Sequence, residues 1–312
     1  MKKAIVLLIS MLLITGMANA QYKKHYGNKS WKKDRNQIMF GMGASNFLGE
    51  LGGSNRIGSG TVSLRDMDMP STRPDFHIGY RYLLSNNFAL RGMFNYAWIG
   101  GNDKYTKELF RQNRNLNFRT PIYELSCMVE YYLNFGAKGH KYKRPGLKGS
   151  KSFSFSPYIF AGVGGIYFNP ETKYKDRWWD LQPLGTEGQG LVPTRTKYSL
   201  YQVVLPYGLG VRFDIDKNWA IGVEYGMRWT FTDYLDDVST TYFDAEALRL
   251  NRGVYAADIA NPSPSNVVGD PMWGSTQPSQ QRGDPTQNDT YVLGLITVYY
   301  TLNKGFIPKL TF

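Results

Sequence analysis

The sequence predicts an all-β protein, an eight-stranded antiparallel transmembrane β-barrel of the outer-membrane type with long extracellular loops. Three observations carry that prediction. An export signal precedes a chain with no apolar run long enough for a membrane helix, eight later segments alternate apolar and polar residues, and the connections between them are long and short by turns. Strand side chains point to opposite faces in succession, so alternation is what a sheet with one face in lipid and one in a small lumen requires.

Residues 1–20, MKKAIVLLISMLLITGMANA, place two lysines before an apolar run from Ala4 to Thr15 and end on Ala18-Asn19-Ala20, the pattern of a cleaved secretory signal peptide. The run is shorter than the roughly 20 residues of a spanning helix. The only cysteine is Cys127, so neither a lipoprotein anchor nor a disulfide framework is available to this exported chain. Aromatic residues make up 15% of the sequence, with 33 glycines and 23 tyrosines, a composition suited to a membrane barrel. A soluble periplasmic β-sandwich is the competing architecture, and strand count and loop lengths separate the two.

A basic arm, 21–36, precedes the first strand, 37–49. The second, 75–84, alternates Phe76, Ile78, Tyr80 and Tyr82 with His77, Gly79 and Arg81, and Ser85-Asn86-Asn87 turns it directly into the third, 88–99. The fourth, 122–135, sets Tyr123, Leu125, Val129 and Tyr131 against Glu124, Ser126, Met128 and Glu130. The fifth is 154–168, the sixth 198–215, the seventh 219–231 after a turn at Asp216-Lys217-Asn218, and the eighth 290–302, with a tail at 303–312. The loops 50–74, 100–121, 169–197 and 232–289 are long, whereas the connections at 85–87 and 216–218 are tight. Long loops outside and short turns on the periplasmic side are the outer-membrane pattern. The periplasmic turn 136–153 departs from it, being long and carrying Lys138, Lys141, Lys143, Arg144, Lys148 and Lys151. The end of loop 232–289, rich in Pro, Ser, Gln and Asn, reads as mobile.

With the apolar faces in lipid, the lumen receives His77, Arg81, Arg91, Glu124, Glu130, Arg212, Glu224 and Arg228. An eight-stranded barrel is just wide enough to be filled by side chains. Mixed charges inside it are expected to pair into a plug rather than line a pore, because an unpaired buried charge is costly.

The formal charge is +12, from 37 Lys and Arg against 25 Asp and Glu. No nucleic-acid module is present, so acidic lipid headgroups or an acidic protein partner are the expected targets of that charge. The three histidines, His25, His77 and His140, share no metal spacing and provide no base for a serine or cysteine nucleophile. The sequence therefore predicts no enzyme, no cofactor and no metal site. Its densest acidic stretch, TDYLDDVSTTYFD at 232–244, lacks the glycine and ligand alternation of a calcium loop. Asp233, Asp236 and Asp237 there, with Glu187 and Gln189 of the second unusual stretch, DRWWDLQPLGTEGQG at 176–190, are expected to structure loops. Trp178 and Trp179 suit an interfacial anchor, and Gly185, Gly188 and Gly190 impose turns.

The segments GMGASNFLGELGG, LRGMFNYAWIGGND, RNLNFRTPIYELS, DLQPLGTEGQG, LPYGLGVRF and RWTFTDYLDDVSTTY together resemble the PorG family of outer-membrane barrels, over essentially the whole mature chain. LQPLGTEGQG and TDYLDDVSTTY are the most specific parts. The resemblance implies a non-enzymatic component of the type IX protein secretion system, which also supports gliding motility in some bacteria. Such a component tethers a periplasmic ring of a PorK-like lipoprotein and a PorN-like protein to the outer membrane. The family supplies no catalytic set. A small porin or ligand-binding barrel is the alternative function.

Overall fold

The computed structural model describes residues 35–51, 69–106, 108–133, 154–216, 218–265 and 270–302. The expected signal peptide, nearly all of the basic arm, the basic turn 136–153 with its six lysine and arginine candidates, and the tail 303–312 lie outside the described residues. In chain order the strands are β1 (Asn36–Leu48), β2 (Arg73–Leu83), β3 (Phe88–Asn102), β4 (Asn117–Tyr132), β5 (Ser154–Phe168), β6 (Glu171–Tyr174), β7 (Arg177–Asp180), β8 (Tyr201–Asp214), β9 (Trp219–Thr230) and β10 (Thr290–Thr301). All except β6 and β7 form a closed antiparallel eight-stranded barrel in which sequential strands are neighbours. β1 closes the barrel on β10 along its whole length, from Gln37 opposite Thr301 to Leu48 opposite Thr290. Closure leaves no sheet edge with unpaired backbone groups, which lipid would not tolerate.

The alternation read in the sequence is what sorts inside from outside. On β4 the side chains of Ile122, Glu124, Met128, Glu130 and Tyr132 are buried, whereas Tyr123, Leu125, Val129 and Tyr131 point out. The outer surface is apolar and bounded by two aromatic rings. Phe88 packs on Tyr131 and Trp219 on Tyr300 near the tight turns, and Tyr96 packs on Trp98 and Tyr123, and Trp229 on Phe231, near the long loops. Trp219 and Trp229 open and nearly close the same strand. Ten residues at about 3.3 Å each, on a strand tilted by about 40°, span about 25 Å along the barrel axis, the height of the apolar band of such barrels.

The lumen is filled by three layers of charge and hydroxyl. At the tight-turn end Arg81 donates to Glu130 at 2.6 Å and to Gln37 at 2.7 Å, under the ring of Tyr132. In the middle Arg91 bridges Glu224 at 2.5 Å and Glu130 at 3.2 Å, and the Tyr158 hydroxyl donates to Glu224 at 3.0 Å. Above them Glu124 accepts from Tyr291 at 2.8 Å and Asn95 at 2.9 Å, with Arg228 at 3.4 Å. His77 sits between Asp75 and Thr297 in the same wall, and Arg212 is half-buried, donating to Gln37 at 3.1 Å. Paired charge fills the lumen as the alternation implies.

Two sequence expectations are corrected. The fourth strand starts at Asn117, not at 122, and β3 runs on to Asn102 to pair with it, so the β3–β4 hairpin stands well clear of the barrel. Pro121 reads as a breaker, yet a proline interrupts a ladder only where its missing N–H would have bonded, and here it lies within the paired stretch, opposite Trp98. The far end of loop 232–289 is packed rather than mobile over its described residues. Tyr242 donates its N–H to Gln280 at 2.9 Å and accepts from Ser279 at 3.0 Å, while Arg282 donates to the Thr240 carbonyl at 2.9 Å. Its polar composition signals disorder only if those groups find no partners, and here they pair across the loop.

Candidate functional site

The described parts of the long connections lie at one end of the barrel and pack there into a cap. β6 and β7 form a hairpin attached to β4 through Arg119 opposite Glu171. Short helices supply the rest: α1 (Leu109–Arg114), α2 (Leu181–Leu184), α3 (Ala245–Arg252) and α4 (Val254–Ala260). Glu108 caps α1 by accepting from Phe110 and Arg111, and Asp244 caps α3 by accepting from Ala247. Asp244 is thus the one acid of 232–244 with a local helical role. Phe47, Ile99, Phe118, Phe168, Leu235 and Val238 belong to the buried apolar cluster that runs from the barrel interior into the cap.

Two buried arginines organise the cap. Arg114 forks onto Asp103 at 2.8 and 2.9 Å and also donates to the carbonyls of Arg282 at 2.7 Å and Glu50 at 3.1 Å, tying three loops together. Arg282 joins the two unusual stretches, lying 2.9 Å from Glu187 and 3.7 Å from Asp237. Glu187 spends its remaining capacity on the opposing stretch, accepting from the Ser239 and Thr240 amides at 3.0 Å each and from the Thr240 hydroxyl at 2.6 Å. Asp237 accepts from Thr186 at 2.5 Å and Tyr198 at 2.7 Å. Burial still lifts its carboxyl to about 6 against the pull of Arg282. Its φ of +64° is rare outside glycine and is held by those partners.

The glycines of LGTEGQG make this clasp possible. Gly185 at φ +61° ends α2, and Gly188 at φ +80° lies so close under the Phe243 ring that a Cβ would collide with it. The Gln189 side chain accepts from the Glu187 amide at 2.9 Å. Of the expected loop-structuring residues, Glu187, Gln189 and Asp237 therefore meet in one clasp. The Thr240 hydroxyl serves Glu187, and the Thr241 hydroxyl accepts from Arg195 at 2.7 Å.

Asp233 and Asp236 belong to a second cluster, together with Glu50 after β1 and Asp289 before β10. Asp236 accepts from the Leu51 amide at 3.1 Å and the Val238 amide at 3.0 Å, and Asp289 accepts from the Leu235 amide at 2.8 Å. Glu50 accepts from the Asp284 amide. One carboxylate oxygen each of Glu50, Asp233 and Asp289 lie within 4.8 Å of one another. Burial, then the charges of Asp236 and Asp233, push Glu50 up to about 10. Burial, then Asp236, push Asp233 up to about 8, with Ser239 tempering the rise. Burial takes Asp236 to about 7 despite the amides of Val238 and Leu51 and the Arg114 charge, and holds Asp289 well above the usual carboxylate range. Asp233 and Asp236 stand out in their own acidic stretch, but their meeting with Glu50 and Asp289 carries no local signal, because the members come from three separate segments.

Trp178 and Trp179 serve the cap as well. The Arg119 guanidinium stacks on Trp178 at 3.8 Å, and Trp179 packs on Tyr255 of α4 at 5.0 Å, so the pair fixes the β6–β7 hairpin to its neighbours.

No curated protein matches the sequence. Among solved structures the chain is similar to the attachment invasion locus protein Ail of Yersinia pestis, at 11% identity and a TM-score of 0.35 over 86% of this chain and 99% of that one. It is also similar to Neisserial surface protein A, at 7% identity and a TM-score of 0.37 over 86% and 97%. A third similar structure is the outer membrane protein AlkL in lipid bilayers, at 13% identity and a TM-score of 0.33 over 92% and 100%. A family model matches residues 25–253, which take in β1 to β9, the clasp between Glu187 and Asp237, and α3, and on that match the chain belongs to the family described as "Domain of unknown function (DUF6089)".

Proposed function

We propose that this protein sits in the outer membrane as a non-enzymatic anchor of the type IX secretion system, tethering a periplasmic ring of PorK-like and PorN-like proteins. The observation that carries the anchor reading is the pairing of an apolar outer band with a lumen closed by ion pairs: Arg81 with Glu130, and Arg91 with Glu224 and Glu130. Such a barrel holds a place in lipid and passes no solute. The secretion-system part rests on the resemblance of LQPLGTEGQG and TDYLDDVSTTY, and it gains support from the direct bonds between Glu187 of the first and Ser239 and Thr240 of the second.

On this reading the tight-turn side faces the periplasm. Lys138, Lys141, Lys143, Arg144, Lys148 and Lys151 then dock the ring by charge, with the basic arm beside them. Deleting residues 138–150 and recovering the complex from membranes tests the docking, and undiminished recovery of the lipoprotein would rule out that segment. Planar-bilayer recording tests the anchor against the small-porin reading, since a stable conductance from the pure protein is incompatible with the paired lumen.

A further inference from the structure

We propose that Glu50, Asp233 and Asp289 bind one calcium ion, which staples the exits of β1 and β9 and the entry of β10 into a single cap.

The donor set comes first. Carboxylate oxygens from the three residues lie within 4.8 Å of one another. Calcium takes oxygen ligands at 2.3–2.6 Å, so ligands on one ion are separated by up to about twice that radius, roughly 4.8 Å. No cysteine or histidine joins the group, which selects a hard cation over zinc or copper. The three carboxylates come from independent segments and set an irregular frame, which suits calcium better than the strict octahedron of magnesium.

A second observation points to a ligand. Asp233 is only 7% exposed, and both of its oxygens are buried and make no direct hydrogen bond, the Ser239 hydroxyl lying near enough only to temper its charge. Glu50 Oε2 is buried and unpartnered in the same way. The other groups around the site are already engaged on their far sides: Glu50 by the Asp284 amide, Asp289 by the Leu235 amide, and Asp236 by the amides of Leu51 and Val238. Those amides aim the carboxylates and leave Asp233 and Glu50 Oε2 free. Asp236 contributes charge and is a positioning residue.

The two buried arginines near the cluster spend their hydrogen bonds elsewhere and offset its charge only in part. Arg114 is forked onto Asp103, and Arg282 is committed to Glu187 and Asp237. Four carboxylates packed this closely repel one another, a cost that an opposite charge between them lowers. One divalent ion supplies that charge. The chain also has no disulfide to pin its long loops, and a metal staple does the same work of joining segments distant in sequence.

The test uses the full-length protein folded in detergent micelles, stripped with chelator and titrated with calcium chloride in a calorimeter, with protease sensitivity of the loops followed in parallel. The expected result is one ion per chain with a Kd of about 10⁻⁴ M or tighter, together with slower cleavage in loop 232–289. Asp233→Asn and Glu50→Gln weaken binding by roughly tenfold or more through the loss of ligand charge, while Asp176→Asn, on the exposed β6–β7 turn, leaves it unchanged. Gel mobility of unheated samples confirms that each variant is folded, and the wild-type titration stands alone should either variant not fold. Absence of heat and of protection up to about 10 mM calcium overturns the proposal, as does wild-type affinity in the folded variants. Equal affinity for magnesium overturns the assignment to calcium.

Discussion

The lumen and the cap are both built from buried charge, and they balance it in opposite ways. Among the described residues, four buried acids inside the barrel, Asp75, Glu124, Glu130 and Glu224, face three buried arginines, Arg81, Arg91 and Arg228, with His77 beside Asp75. Among the described residues of the cap the buried acids are Asp103, Glu187, Asp233, Asp236, Asp237 and Asp289, against the buried arginines Arg114 and Arg282. The lumen sets each of its glutamates near an arginine, although Arg228 faces Glu124 at 3.4 Å by charge alone and makes no hydrogen bond. The cap satisfies its Glu187–Asp237 half with Arg282 and leaves the Glu50–Asp233–Asp289 half with surplus negative charge, which invites a cation. A lumen of facing charges and an acid-rich cap thus share one molecule, joined by the apolar cluster that includes Phe47, Phe118 and Leu235.

The largest expected effect breaks the lumen side of that contrast. Arg91→Leu strands Glu224 and leaves Glu130 with Arg81 alone, and unfolding of the barrel in lipid vesicles by denaturant should show a loss of about 3–5 kcal/mol. A loss below about 1 kcal/mol, the scale of a solvated pair, would mean that water already enters the lumen. Next, Glu187→Ala removes the acceptor for the Ser239 and Thr240 amides and the partner of Arg282. It should open loop 232–289 to protease by about 2–4 kcal/mol of local stability while the barrel midpoint stays in place. If the barrel melts with the loop, cap and barrel are one cooperative unit.

A smaller change tests how the apolar cluster is held to the wall. The Thr120 hydroxyl donates to the Leu235 carbonyl at 2.6 Å, so Thr120→Val should cost about 1 kcal/mol, read as faster hydrogen exchange near Leu235. The smallest is Trp178→Ala. Loss of the Arg119 stack should cost about 0.5–1 kcal/mol in hairpin protection without altering retention in vesicles. Reduced retention would return Trp178 to the role of membrane anchor that its sequence setting suggests.

How much was legible follows from the range of each interaction. Eight strands could be read because the side-chain period of two is a local property, repeated in every strand from Met39 and Phe40 to Thr297 and Val298. The lumenal charges followed from the same alternation, since Arg81, Glu124 and Glu224 stand on inward positions of recognisable strands. The β6–β7 hairpin escaped notice because four-residue strands carry too little alternation to register. The ends of β3 and β4 were missed because Pro121 and the glycines at 100 and 101 look like punctuation, and only their partner strand keeps them in the ladder.

The site divides along the same line. Glu187, Asp237, Asp233 and Asp236 were visible as unusual local stretches, but their partners were not. Arg282 lies in a segment whose composition suggests disorder, and Glu50 and Asp289 are ordinary residues beside strand ends. What the sequence alone determined is the barrel, its inside and its outside, because lipid and lumen impose a periodic demand on every strand. Tertiary structure alone decided which acids meet, because loop closure brings Glu50, Asp233 and Asp289 together across more than two hundred residues of chain, and no local pattern encodes a distance of that kind.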